Sequence, residues 1–185
     1  MKILCCLLMV MAALSGCSQE NTPLSDALGF REMLLSSNGC HFTAHVTADY
    51  GDSLTQFSMD CETDPSGELL FEILQPESIT GIRGSISDQG GSIRFEDQSL
   101  YFPLLTDDLL TPASSPWIFI RTLRSGYITS ACMEENMLHL TVDDDYAEDA
   151  LTLDIWLEED QPVRAEILHG GKRILTVAVE NFVLL

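Results

Sequence analysis

The stretch Cys40-His41-Phe42-Thr43-Ala44-His45-Val46-Thr47, followed by Asp49-Tyr50-Gly51-Asp52 and then Gln56-Phe57-Ser58-Met59-Asp60-Cys61, decides how the chain folds. Apolar Cys40, Phe42, Ala44 and Val46 alternate with His41, Thr43, His45 and Thr47, the period-two pattern of a strand with one buried face. Residues 49–52 are turn formers, and Phe57, Met59 and Cys61 resume the alternation. A hairpin therefore opens the β part of the chain, and its pairing depends on where the turn sits. A two-residue turn at Tyr50-Gly51 sets Cys40 opposite Cys61 and Phe42 opposite Met59. A turn at Gly51-Asp52 shifts the pairs but keeps both cysteines on one face. Cys40 and Cys61 are thus the disulfide candidates where geometry permits. Three buried free thiols, Cys132 included, are the alternative.

Upstream, residues 24–37 read as a helix. Thr22 can cap it, Pro23 suits its first position and Gly39 is placed to end it. Leu24, Ala27, Leu28, Leu34 and Leu35 fall at helical spacing on one face. Downstream, strands are expected at 68–74, 79–87, 91–96 and 99–102, split by Asp64-Pro65-Ser66-Gly67, Gln75-Pro76-Glu77 and Gln89-Gly90-Gly91. Residues 103–126 break that rhythm. Leu104, Leu105, Leu109 and Leu110 suit a helical turn, and Ser115-Pro116 opens a short helix that Gly126 can stop. Its run Trp117-Ile118-Phe119-Ile120 leaves no side for water, so this helix must be buried almost all round. Strands return at 128–133, 137–142 and 151–157. A final hairpin of 162–169 and 172–182 turns at Gly170-Gly171. With about ten or eleven strands by these signals and no internal repeat, residues 24–185 read as one α+β domain.

The first residues carry a different message. Met1-Lys2 gives one positive charge and residues 3–14 are unbroken apolar. That run is too short to span a bilayer, which takes about 20 residues, and suits the h-region of a secretory signal peptide. It ends Leu14-Ser15-Gly16-Cys17, which resembles the lipobox of bacterial lipoproteins. The resemblance implies removal of residues 1–16 and acylation of Cys17. Residues 17–23 then form a lipidated tether. The expected location is the extracytoplasmic face of the cell membrane, or the outer membrane where the cell has one.

The chain has 9 basic and 29 acidic side chains, a formal charge of −20. Nucleic acid is excluded as a partner, because phosphate would be repelled over most of the surface. The sequence lacks a Gly-x-Ser-x-Gly elbow, a Walker loop and a zinc-protease helix motif. His41 and His45 lie about 13 Å apart on a strand and cannot share a metal ion. His139 and His169 stand isolated in the sequence. Asp143-Asp144-Asp145 lacks the spacing of a calcium loop, and Glu158-Glu159-Asp160 reads as a solvated turn. The expectation is a non-enzyme with no metal and no cofactor.

In order, the chain offers a lipobox, a helix, a meander of strands, a buried helical insert and further strands. With residues 69–79 leading into Gly81-Ile82-Arg83-Gly84, and with residues 151–157 and 162–167, it resembles the lipoprotein-carrier family of LolA/LolB-like proteins. That resemblance implies a curved antiparallel sheet, an unclosed half-barrel, covered by an N-terminal helix and a short helical insert. It also implies an apolar cavity that takes a lipid, an acyl chain or another hydrophobic ligand. Phe57, Met59, Phe71, Ile73, Trp117, Phe119 and Ile120 are the candidate lining. The alternative is a non-enzymatic protein-interaction lipoprotein with a filled core, an accessory factor that docks an envelope or sporulation protein.

Overall fold

A computed structural model describes residues 22–95, 98–106, 109–147 and 150–185. The proposed leader and Cys17 lie outside the described residues. Helix α1 (Pro23–Ser36) starts as expected: Thr22 Oγ1 accepts from the Ser25 amide at 3.3 Å, with Pro23 in the first turn. Then come β1 (Cys40–Asp49), β2 (Leu54–Thr63), β3 (Leu69–Gln75), β4 (Arg83–Ser87), β5 (Gly90–Phe95) and β6 (Gln98–Phe102). A ribbon of β7 (Leu105–Thr106) and β8 (Leu109–Leu110) leads to α2 (Ser115–Ser125). The chain ends in β9 (Tyr127–Glu134), β10 (Met137–Asp143), β11 (Leu151–Glu158), β12 (Gln161–His169) and β13 (Lys172–Leu184).

Eleven strands form one antiparallel sheet in the order β6-β5-β4-β3-β2-β1-β13-β12-β11-β10-β9. Two meanders meet where β1 pairs with β13, so the first and last strands lie side by side in the middle. The edges, β6 and β9, do not pair, and the half-barrel stays open. Register shifts at residues 41–43, 58–59, 141–142, 156–157 and 167–168 interrupt the ladders. Each extra residue bends its strand and adds twist, which curls the sheet around the helices.

One face of the sheet is apolar and packs on the helices. Phe42 anchors it, its ring centroid 6.0 Å from that of Phe119 on α2 and 6.0 Å from Phe182 on β13. Phe30 of α1 joins at 6.2 Å from Phe182. Helix α1 lies against β9, β10 and α2, while α2 also reaches β1, β12 and β13. Arg31 ties the helices together, its Nε–H donating to the Leu123 carbonyl at 2.7 Å. As its sequence requires, α2 is buried from Ser115 through Ile120 and at Thr122 and Leu123. The indole N–H of Trp117 donates to the Gly67 carbonyl at 3.0 Å and pins the helix to the β2–β3 turn.

Several expectations are corrected. The buried stripe of α1 is Ala27, Phe30 and Leu34, and Leu24, Leu28 and Leu35 face outward. Two apolar stripes share that helix, and the ring contact at Phe30 selects one of them. The first hairpin turns at Gly51-Asp52, so Cys40 opposes Thr63 and Phe42 opposes Cys61. Cys40 and Cys61 are then diagonal neighbours. Diagonal Cβ atoms stand about 7 Å apart, beyond the roughly 4 Å of a disulfide, and both thiols are free and buried. Burial pushes the Cys40 thiol up and the Cys61 thiol well up from the ordinary range, which leaves both inert. Cys132 is exposed, not buried. Leu105-Thr106 and Leu109-Leu110 form the paired strands β7 and β8 instead of a helical turn, and β4 starts at Arg83 after a 3-10 turn at Glu77–Ile79.

Gly39 does not terminate α1, which closes on Ser37. Its role is steric: φ is +135°, and a Cβ there would stand 1.8 Å from the Thr63 carbonyl oxygen. We expect Gly39→Ala to lower stability by about 2–4 kcal/mol, by forcing β1 from β2 as well as straining the backbone. Gly29→Ala, in mid-helix with no atom near the added methyl, should instead raise it by about 0.5–1 kcal/mol. Urea unfolding of the two variants checks both signs.

Candidate functional site

The candidate ligand wall is the inner face of the β2–β6 limb, and it follows from register. Side chains directly opposed in an antiparallel sheet share a face. One inner row runs Phe42, Cys61, Phe71, Gly84, Ile93, Leu100 from β1 to β6. Beside it runs Cys40, Thr63, Leu69, Ile86, Gly91, Phe102. Phe95, two residues along β5 from Ile93, also points inward.

Burial fades along the first row. Phe42 and Cys61 are fully buried, Phe71 is 4% exposed, Ile93 is half-buried and Leu100 is 66% exposed. Phe95 is 57% exposed. Chemistry does not fade with it: the row stays apolar to the edge strand. An uncovered oily shelf therefore continues the core. Glycine shapes its floor at two points, where the rings of Phe71 and Phe102 lie over Gly84 and Gly91 and fill the space a side chain would take.

The seven residues proposed for the lining separate into two groups. Met59, Trp117, Phe119 and Ile120 belong to the close-packed centre, exposed by 3% or less. Phe71 and Ile73 sit where the centre gives way to the shelf, and Phe57 is half-buried on the same face. Phe95 and Leu100 carry the exposed part, and the sequence reading missed them. The signal was present in the apolar residues of 93–102, once β5 and β6 are set in register.

The outer face of the same limb is mostly polar, with Leu70, Leu74 and Tyr101 as exposed exceptions. A hollow of about 640 Å³ is lined there by Asp60, Glu62, Glu72, Arg83, Ser85 and Arg94, among others. Arg83 Nε–H donates to Glu72 at 2.8 Å. His41 and His45 also face outward and pair separately, His41 with Asp60 at 3.0 Å and His45 with Glu180 at 3.4 Å. Among the described residues no group of three His, Cys, Asp or Glu side chains is arranged for a metal ion. Nor is any described helix long and apolar enough to cross a membrane.

His139 is not isolated. Register sets Cys132, His139, Trp156 and Arg164 in one outer row across β9 to β12. The imidazole stacks on the indole at 4.5 Å with 4° between planes, and the Arg164 guanidinium lies 4.9 Å from the indole centroid. Glu166 pairs with both Arg164 and Arg173 in the neighbouring row.

Comparison with solved structures finds the following similarities. A LolA-superfamily protein from Nitrosomonas europaea is 9% identical, with 86% of this chain and 93% of that chain covered and a TM-score of 0.49. An uncharacterized conserved protein from Thermus thermophilus is 15% identical over 89% of this chain and 88% of the other, with a TM-score of 0.48. The lipoprotein LppX of Mycobacterium tuberculosis is 13% identical over 89% and 96%, with a TM-score of 0.44. No protein-family model and no curated protein matches the chain.

Proposed function

We propose that the chain is a membrane-tethered, non-enzymatic binder of a hydrophobic ligand, anchored through acylated Cys17 and holding an acyl chain or similar apolar group on the β3–β6 shelf. The observation that carries this is the inner row ending in Ile93 and Leu100. Soluble domains seldom leave large apolar side chains in a continuous surface with their own core, and a ligand laid there would extend the core. The tether fits that task. Two acyl chains hold a protein durably at a bilayer, within reach of apolar cargo. The strongly acidic surface resists adhesion to anionic headgroups, so attachment would rest on the anchor.

The test compares two neighbours on one strand. Leu100 points inward, and Tyr101, 81% exposed, points outward opposite Ser92. Full-length protein is titrated with cis-parinaric acid, a fluorescent fatty acid. Losing a buried leucine contact costs about 1.5–3 kcal/mol, or roughly tenfold to a hundredfold in affinity. Leu100→Asp should weaken binding by at least that much, and Tyr101→Asp should leave it unchanged. Equal effects, or no saturable binding to the wild-type protein, would overturn the reading. A second reading, an interaction lipoprotein with a filled interior, is favoured by the full burial of Met59, Phe119 and Ile120, and absence of binding would leave that one standing.

A further inference from the structure

On the outer face, away from the shelf, edge strand β9 presents Cys132 directly opposite His139 of β10. The Cys132 sulfur lies 4.0 Å from His139 Nδ1. On the ring's other side, Nε2 is 3.2 Å from Asp154 Oδ1, and that carboxylate also accepts from the Thr141 hydroxyl at 2.9 Å. A neutral imidazole carries one proton. With Nε2–H donating to Asp154, the lone pair on Nδ1 is left to the thiol at 4.0 Å and to the Glu134 carboxylate, which lies nearer at 3.3 Å. Stacking on Trp156 fixes the ring plane. Glu134 completes the setting: its Oε2 accepts from the Trp156 indole N–H at 2.8 Å and lies 3.3 Å from Nδ1. A nucleophile, a base beside it and a group orienting that base are therefore assembled in the open. The His139 side chain is 21% exposed, while the thiol itself is accessible.

We propose that Cys132 is a thiol-modification site, assisted by His139, which forms mixed disulfides with small uncharged or cationic disulfides. The Cys132 proton moves to Nδ1 as the sulfur attacks one sulfur of R–S–S–R. A new S–S bond forms between Cys132 Sγ and the attacked sulfur, the original S–S bond of R–S–S–R breaks, and the leaving RS thiolate takes the proton from the imidazolium to depart as RSH. Cys132 is oxidised and half of the small disulfide is reduced. Between the two transfers the imidazolium lies against the Asp154 and Glu134 carboxylates, a favourable pairing for its charge. Anionic disulfides are disfavoured by Glu134 beside the imidazole and by the formal charge of −20. His139 acts here as the base and Asp154 as a positioning residue. Neither contributes to the fatty-acid shelf, so the two proposals stand or fall separately.

The experiment treats full-length native protein with cystamine, a cationic disulfide, and follows each cysteine by peptide mass spectrometry between pH 6 and 8. Cys132 should be modified while buried Cys40 and Cys61 stay unmodified. His139→Gln should slow the reaction at Cys132 by about tenfold or more at pH 7, below the usual hundredfold of general-base assistance because a thiol is already a fair nucleophile. It should also restore the pH dependence of an unassisted thiol, whose rate rises about tenfold per pH unit below about 8.5. The buried thiols report on folding: if either becomes reactive in His139→Gln, the same slowing must appear in Asp154→Asn, which keeps the shape of the side chain. Equal rates and pH profiles for wild type and the protected variants would overturn the proposal.

Discussion

Replacing Phe42 by alanine is expected to remove about 3–5 kcal/mol of stability, the usual cost of deleting a buried aromatic ring. Domains of this kind hold about 5–15 kcal/mol in all, so the variant should unfold at far lower urea concentration or fail to accumulate. The position explains the size of the effect. Phe42 is fully buried on central strand β1 and touches the rings of Phe119 and Phe182 together. It therefore joins helix α2 to both meanders of the sheet, and no neighbour can collapse into the gap without leaving another ring unsupported. Tyr101→Ala, exposed at the edge, should change stability by no more than about 0.5 kcal/mol. Urea unfolding of both variants measures the contrast. A Phe42→Ala loss below about 1 kcal/mol, well under the usual range, would contradict the central place given to the ring cluster.

The second large effect concerns the proposed anchor and is all-or-none. Cys17→Ser should abolish incorporation of radiolabelled palmitate in the cell, and the protein should move from the detergent-rich to the aqueous phase on Triton X-114 partition. The chemistry allows no intermediate result, since serine offers no thiol for the diacylglyceryl group. Buried Cys40 and Cys61 cannot substitute, and Cys132 lies on the far β9 edge. Labelling that persists in Cys17→Ser would refute the assignment. Labelling lost only in a further Cys132→Ser variant would move the acyl group to that edge.

How far the fold was legible depends on which physical quantity each feature obeys. Alternation over 40–61 put Phe42, Ala44, Val46, Met59 and Cys61 on the buried face, because a strand has only two faces and the pattern names one. Turn position was less determined: Tyr50, Gly51 and Asp52 all favour turns, and the slide of one residue separated Cys40 from Cys61. Helix α1 shows a second limit. Residues 24, 28 and 35 satisfy helical spacing as well as 27, 30 and 34 do, and a contact with Phe182, distant in sequence, decides between them. The candidate ligand wall was half visible. Apolar character marked Phe71 and Trp117 alike, but only the reach of the helices separates the centre from the shelf. His139 looked solitary because its neighbours come from β9 and β11. Registering 137–142 against 151–157 would have set it beside Trp156.

The pairing of β1 with β13 carries a consequence for how the molecule comes into being. The sheet's midline joins segments from opposite ends of the domain, so the two meanders cannot join until the last strand has arrived. Pairings so distant along the chain make folding slow, and a nascent polypeptide of this design cannot complete its sheet until synthesis has nearly finished. Such delay would suit the export proposed for this chain, since a translocation pore admits extended polypeptide and rejects a completed globule. It also makes the C-terminal strand a keystone: trimming it would leave two unsupported ribbons, each with a sticky flank open to aggregation.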